Sequence, residues 1–178
     1  MNPELSALVP EGCGALLLDP TQNKCLMMER NPFYVNNTGS KLEYEYPGGK
    51  VDPEKDDESI PYASTAAREL FEETGIVISI DQIRESPLVV SKSPAGKGVG
   101  LYVVTLCPDQ IRSMETIRKE MLLKCQQSPT EIEARTFEWL SLEDVKHDST
   151  NKTDRRLKLP IRAFNRILIA LLISNKLI

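Results

Sequence analysis

Hydrophobic and polar positions along the 178-residue chain change period several times, and each change marks an element. The apolar runs GCGALLLD (12–19) and KCLMMER (24–30) flank the turn-forming PTQN and predict a β-hairpin. LEYEYPGGKVDP (42–53) alternates as far as Tyr46 and then bends at Pro47-Gly48-Gly49, which predicts a strand running into a glycine turn. IVISI (76–80), PLVVSKS (87–93) and GVGLYVVTLC (98–107) read as further strands, with PAGKG as the loop before the last. ARTFEWLSLEDV (134–145) predicts a strand followed by a short helix.

Elsewhere the period lengthens to that of a helix. Pro61 suits a first helical turn and Gly75 a residue just past the last one, so a helix is expected from there to about Thr74. Its apolar stripe is Ala63, Ala66, Ala67, Leu70 and Phe71. Asp109–Gln127 is helical with Ile111, Met114, Ile117, Met121 and Leu122 as the buried side, and a terminal helix is expected at about 159–176. The polar segment Asn31–Lys41 reads as a loop. Strands and helices are interleaved over 1–178 with no internal repeat. The expected fold is a single α/β domain, a mixed β-sheet flanked by helices on both faces.

The helix ending at Thr74 raises a chemical question. Glu69, Glu72 and Glu73 stand at i, i+3 and i+4, which puts three carboxylates on one face, two of them in the last turn. Like charges at that spacing cost about 0.2–0.5 kcal/mol per pair, and acids in a last turn oppose the helix dipole. Arg68, four residues before Glu72, offsets one charge. A solvated acidic face is one explanation. The other is a divalent cation among the oxygens, since hard cations such as Mg²⁺ take carboxylate and carbonyl ligands.

Composition narrows the field. The net charge of −4 and a pI near 5.2 give no support to a protein that coats nucleic acid. His147 is the one histidine, in the polar EDVKHDSTNKTDRR; it reads as a surface residue, which removes multi-histidine zinc sites and leaves carboxylates, lysines, tyrosines or a metal to carry chemistry. Cys13, Cys25, Cys107 and Cys125 are scattered without a CxxC pair, and MNPELSALVPEG lacks a charged segment followed by an apolar core, so reduced thiols in a cytoplasmic protein are expected. The terminal run ILIALLI is shorter than the ~20 residues of a membrane span and follows Arg162 and Arg166; it reads as a packed helix, with an interfacial or homodimer-forming helix as the alternative.

The stretch GGKVDPEKDDESIPYASTAARELFEETGI (48–76) resembles the signature of the Nudix hydrolases, G-x5-E-x7-R-E-U-x-E-E-x-G-U with U aliphatic. Arg68, Glu69, Leu70, Glu72, Glu73, Gly75 and Ile76 match its second half. YEYPGGKVD resembles the strand and turn that lead into it, and TEIEARTFEWLSLEDV the strand and helix that follow. The first half departs: 18 residues separate Gly49 from Arg68 where the signature has thirteen, and Ile60 stands where it has glutamate, a role Glu58 or Glu54 could take.

The resemblance implies an α/β/α sandwich and a metal-dependent pyrophosphohydrolase acting on the diphosphate of a nucleotide or nucleoside diphosphate derivative. It implies Mg²⁺, with Mn²⁺ as the alternative, on Glu69, Glu72, Glu73 and the Gly49 carbonyl, and a structural role for Arg68 and Gly75. The candidate bases are Glu72, Glu73 and, from the later loop, Glu131 or Glu133, with Glu131 preferred. Tyr44, Tyr46, Phe33, Tyr34 and Lys50 are candidates for substrate contact; the partner is a small molecule, with a capped RNA end retained as a variant and no membrane. A Nudix-fold binding or regulatory module with impaired catalysis is the competing reading.

Overall fold

The protein's computed structural model describes residues 8–31, 42–128, 134–151 and 153–178. In chain order the elements are β1 (Pro10–Asp19), β2 (Lys24–Arg30), β3 (Tyr44–Glu45), β4 (Gly48–Lys50), α1 (Pro61–Thr74), α2 (Ile80–Glu85), β5 (Leu88–Lys92), β6 (Gly98–Thr105), α3 (Pro108–Gln127), β7 (Ala134–Ser141), α4 (Leu142–Thr150) and α5 (Ala163–Ser174). Among the described residues the strands form one mixed sheet with a central path β3-β2-β1-β6-β5, to which β4 adds on β1 and β7 on β2.

Strict alternation on the central strands divides the core into two layers. Cys13, Ala15 and Leu17 of β1, Leu26 and Met28 of β2, and Tyr102 and Val104 of β6 face α1, α2 and α3. Their neighbours Leu16, Cys25, Met27, Leu101 and Val103 face the other way, onto Leu142 and Val145 of α4 and Leu168, Ile169 and Leu172 of α5. The terminal run ILIALLI is therefore packed within the chain, and among the described residues no helix is long and apolar enough to cross a membrane.

Strand β1 runs parallel to β6 along one edge. Its other edge is shared: Leu18 and Asp19 pair with β2, whereas Gly12, Cys13 and Gly14 pair antiparallel with Lys50, Gly49 and Gly48 of β4. This arrangement carries the glycine turn beneath the start of β1, next to α1.

Five expectations need correction. IVISI is not a strand: Ile76 and Ile78 are buried in extended chain, but Ser79 caps α2 by accepting the Gln82 N–H (3.2 Å), and the segment joins no sheet edge. Phe71 is 56% exposed, because the buried stripe of α1 runs through Ala63, Ala66 and Leu70 and Phe71 falls at its margin. The terminal helix starts at Ala163, since the Pro160 carbonyl accepts the Tyr44 N–H (2.8 Å) and the Arg162 N–H donates to the Tyr44 carbonyl (2.9 Å), which holds 160–162 extended against β3. His147 is half-buried, with Nδ1 at 3.2 Å from Asp148 and Nε2 at 3.6 Å from Asp154. On α3 the fully buried positions are Met114, Met121 and Cys125, while Ile111, Ile117 and Leu122 are partly covered.

Candidate active site

Helix α1 starts on Pro61 and stops where Gly75 turns left-handed (φ 76°) with its N–H on the Phe71 carbonyl, so the glutamates occupy the helix's last turns. Arg68 organises them. Its Nε donates to Asp56 Oδ1 (2.8 Å), Nη1 to Glu69 Oε1 (2.7 Å) and Glu72 Oε2 (3.1 Å), and Nη2 to the Lys50 carbonyl (2.9 Å) and Asp56 Oδ2 (3.2 Å). The expected structural role of Arg68 thus has a geometry: one guanidinium ties the helix to β4 and to the loop between them. Its pKa is raised, chiefly by the hydrogen bond to Asp56.

Asp56 is the residue that pattern reading missed. It is buried, and its carboxylate also accepts the Thr65 hydroxyl (2.6 Å) and the Asp52 N–H (2.7 Å). Burial alone would raise this carboxyl, but the hydrogen bonds from Arg68, Asp52 and Thr65 outweigh it and hold the pKa below the usual carboxylate value. Glu54 and Glu58 are both exposed, so neither is the acid that meets Arg68. No sequence signal separates Asp56 from the other acids of EKDDES; only burial beside Thr65 does.

The three glutamates meet different partners. Glu69, 15% exposed, lies against Gly49 so closely that a Cβ there would collide with its carboxylate. Glu73 Oε2 accepts the Gly48 N–H (2.8 Å). Glu72, 44% exposed, reaches Arg68 and stands 3.7 Å from Lys55 Nζ. Among the described residues no three acidic, histidine or cysteine side chains converge into a preformed cation cage. The donor chemistry nevertheless suits a hard divalent ion: carboxylate oxygens from one helix face beside bare main chain.

The sheet register also decides which main-chain oxygen faces the helix. Ala15 N–H bonds the Pro47 carbonyl and Val51 N–H the Glu11 carbonyl, so Cys13 and Gly49 form the bonded pair between them and the Gly49 carbonyl is directed into the ladder. The groups directed away from β1 are those of Gly48 and Lys50, which is where Glu73 and Arg68 bond.

The other side of β4 opens on a cleft of about 530 Å³. Gly48, Gly49 and Lys50 line it together with Tyr46, Lys97 and the start of α5. Two of the predicted contacts therefore border the cleft, Lys50 and Tyr46, the latter 7% exposed and packed over Gly14. Tyr44 does not: it is fully buried and its hydroxyl donates to Glu138 (2.8 Å). Cys13 also lines the cleft, but burial pushes its thiol up to about 12, so it stays protonated. Phe33, Tyr34, Glu131 and Glu133 lie outside the described residues. Arg162, Phe164 and Asn165 line the cleft as well, far from the signature and with nothing in their sequence to mark them.

Comparisons with known proteins agree with this fold. The NUDIX domain profile matches residues 10–159. No curated protein matches the chain by sequence. Among solved structures, the chain is similar to a bifunctional NMN adenylyltransferase/ADP ribose pyrophosphatase from Francisella tularensis, complexed with AMP and an Mn ion. The identity is 20% and the TM-score 0.52, over 92% of this chain and 41% of that one. It is also similar to a MutT/nudix family protein from Enterococcus faecalis (17% identity, TM-score 0.44, 74% of this chain and 43% of that one). A third is a MutT NUDIX hydrolase from Burkholderia pseudomallei (18%, 0.47, 90% and 96%). The chain spans about four tenths of the length of the Francisella and Enterococcus chains.

Proposed function

Because the chain belongs to the NUDIX domain family, that of the Nudix hydrolases, we propose that it is a metal-dependent pyrophosphohydrolase that cleaves the diphosphate linkage of a nucleotide or nucleoside diphosphate derivative. The observation that carries the reading is the contact of the acidic helix with bare glycine strand at the rim of a cleft: Glu73 on the Gly48 N–H and Glu69 against Gly49.

In this reading Glu69, Glu72 and Glu73 would hold Mg²⁺ or Mn²⁺, with a main-chain oxygen of the glycine turn, Gly48 in preference to Gly49. A divalent ion bound there neutralises phosphate charge and lowers the pKa of a bound water. The chain's own groups do the rest. Arg68 fixes the carboxylate rotamers of Glu69 and Glu72 and is itself held by Asp56. Two adjacent glycines leave the first two positions of β4 without side chains, so a diphosphate can approach the main chain closely. Lys50, exposed beside them, supplies a positive charge. The attacking water gives its proton to a carboxylate; Glu72, Glu73 and Glu131 are the candidates. Because the Francisella protein was solved with AMP and an Mn ion, both Mn²⁺ and Mg²⁺ belong in the assay.

Incubation with either ion and a panel of nucleoside triphosphates, dinucleotides and nucleotide sugars in ¹⁸O-labelled water tests the reading and identifies the attacked phosphorus. Phosphate or nucleotide release, abolished in Glu73→Gln, is the expected result. The bonding of the glutamates to Arg68, Lys55 and Gly48 favours a second reading, a binding module with impaired catalysis. Nucleotide binding without turnover by the wild type would support it.

A further inference from the structure

We infer that Asn165 is a specificity residue: its side-chain amide donates a hydrogen bond to a nucleobase that lies in the cleft against Phe164. The inference deepens the reading above and rests on it for the nature of the substrate. Asn165 lines the cleft and is 4% exposed, yet among the described residues its Nδ2 has no hydrogen-bond partner. Buried amides are nearly always satisfied, and one left without a partner beside a cleft of ligand size finds it in the occupant.

The charges around it decide what kind of occupant. Three acids, Glu11, Glu43 and Glu45, and three bases, Lys50, Lys97 and Arg162, line the cleft, so no excess of either sign recruits an ion. Lys97 bonds Glu11 at 2.6 Å and Arg162 bonds Glu45 at 2.7 Å, which closes two of the bases off in pairs. What stays open at the start of α5 is a set of neutral donors. The N-cap Arg162 makes no side-chain cap bond, the first intrahelical bond is Arg166 N–H to the Arg162 carbonyl, and the Asn165 amide sits in that first turn.

Glu43 and Glu45 line the cleft beside these donors and oppose the anion that a helix N-terminus otherwise attracts, so the donors take an uncharged acceptor edge, a carbonyl or a ring nitrogen. Phe164, partly buried, and Tyr46 add flat apolar surface. A planar heterocycle with acceptors on its rim fits both. Because Gly48, Gly49 and Lys50 border both this cleft and the acidic helix, one molecule can lay its diphosphate on β4 and its base on α5. The wall is built from residues past 159, where the family match ends, and Tyr44 fastens it through both its main-chain groups.

The test compares wild type with Asn165→Ala on base-bearing nucleotides and on a ribose diphosphate compound that lacks a base, with thermal unfolding of both proteins in parallel. The expected result is a loss of about tenfold in kcat/KM on the preferred nucleotide, carried by KM, with the base-free compound within twofold and the midpoint temperature unchanged or higher. Equal losses on both compounds, or a lower midpoint with no change in discrimination, would overturn the inference. Calorimetric titration with nucleoside monophosphates separates it from the catalytic proposal. If no compound is hydrolysed, about tenfold weaker monophosphate binding by Asn165→Ala still supports it, and a wild type that binds none of them, or a variant that binds them equally well, overturns it.

Discussion

On the helix side of β4, Arg68 spends its donors on Asp56, Glu69, Glu72 and the Lys50 carbonyl, and Glu73 takes the Gly48 N–H; polar groups there are tied to one another at 2.6–3.2 Å. On the cleft side, two ion pairs neutralise their charges and a buried amide is left over. One side is a closed network that fixes geometry for whatever binds, and the other leaves part of its bonding for the ligand to complete. The contrast predicts that substitutions on the first side change rate and stability, and on the second the choice of substrate.

The largest effect expected is that of Asp56→Ala. It takes two of the five hydrogen bonds from the Arg68 guanidinium, 15% exposed, and the acceptor from the Asp52 N–H, and each buried donor left unpaired costs about 1–3 kcal/mol. Urea unfolding should register that loss, together with lower activity. Retained nucleotide affinity would sharpen the contrast, and a parallel loss of affinity would break it. Next is Glu69→Gln, expected to lower kcat by at least the roughly 10–100-fold that loss of a supporting group costs a metal site, with KM for the nucleotide little changed. Gly49→Ala should resemble it more mildly: the added Cβ displaces the Glu69 carboxylate, the movable end of a side chain, so activity measured against divalent-ion concentration should fall while the unfolding midpoint hardly moves.

Acid should act on both sides. The Asp56 carboxyl is held below its ordinary value, and so is that of Asp148, where burial is outweighed by hydrogen bonds from the Arg156 and Leu157 N–H groups and His147. Carboxyls lowered on folding contribute stability that is complete above the unfolded value of about 4 and is lost as pH falls through the folded one. Unfolding free energies measured downward from pH 5 should therefore drop, and Asp56→Asn should flatten the drop. The smallest effect on turnover is expected for Asp148→Ala, which frees two N–H groups of the segment leading to α5. A loss of about 1–3 kcal/mol with a raised KM and an unchanged kcat would assign that segment to substrate choice.

The helix side could be read before any fold was known because its parts are close in sequence. Glu69, Glu72, Glu73 and Arg68 lie within two helical turns, and helical spacing alone puts them on one face. Asp56 was illegible since the five extra residues upstream let any of several acids come forward, and burial with Thr65 made the selection. The direction of the Gly49 carbonyl depended on β1–β4 register, a tertiary fact. The cleft draws on residues near 11, 46, 97 and 162 that share no period or motif. IVISI misled for a related reason: alternation places Ile76 and Ile78 inside, but a strand must also pair along a sheet edge, and this segment pairs with none.

Tyr44 bonds the segment 160–162 through its own N–H and carbonyl, and β3 ends the strand path on that side. A chain cut after Leu159 would lose more than a wall of the cleft. It would also bare the N–H and carbonyl of Tyr44, a short piece of open strand edge of the kind onto which another chain can add.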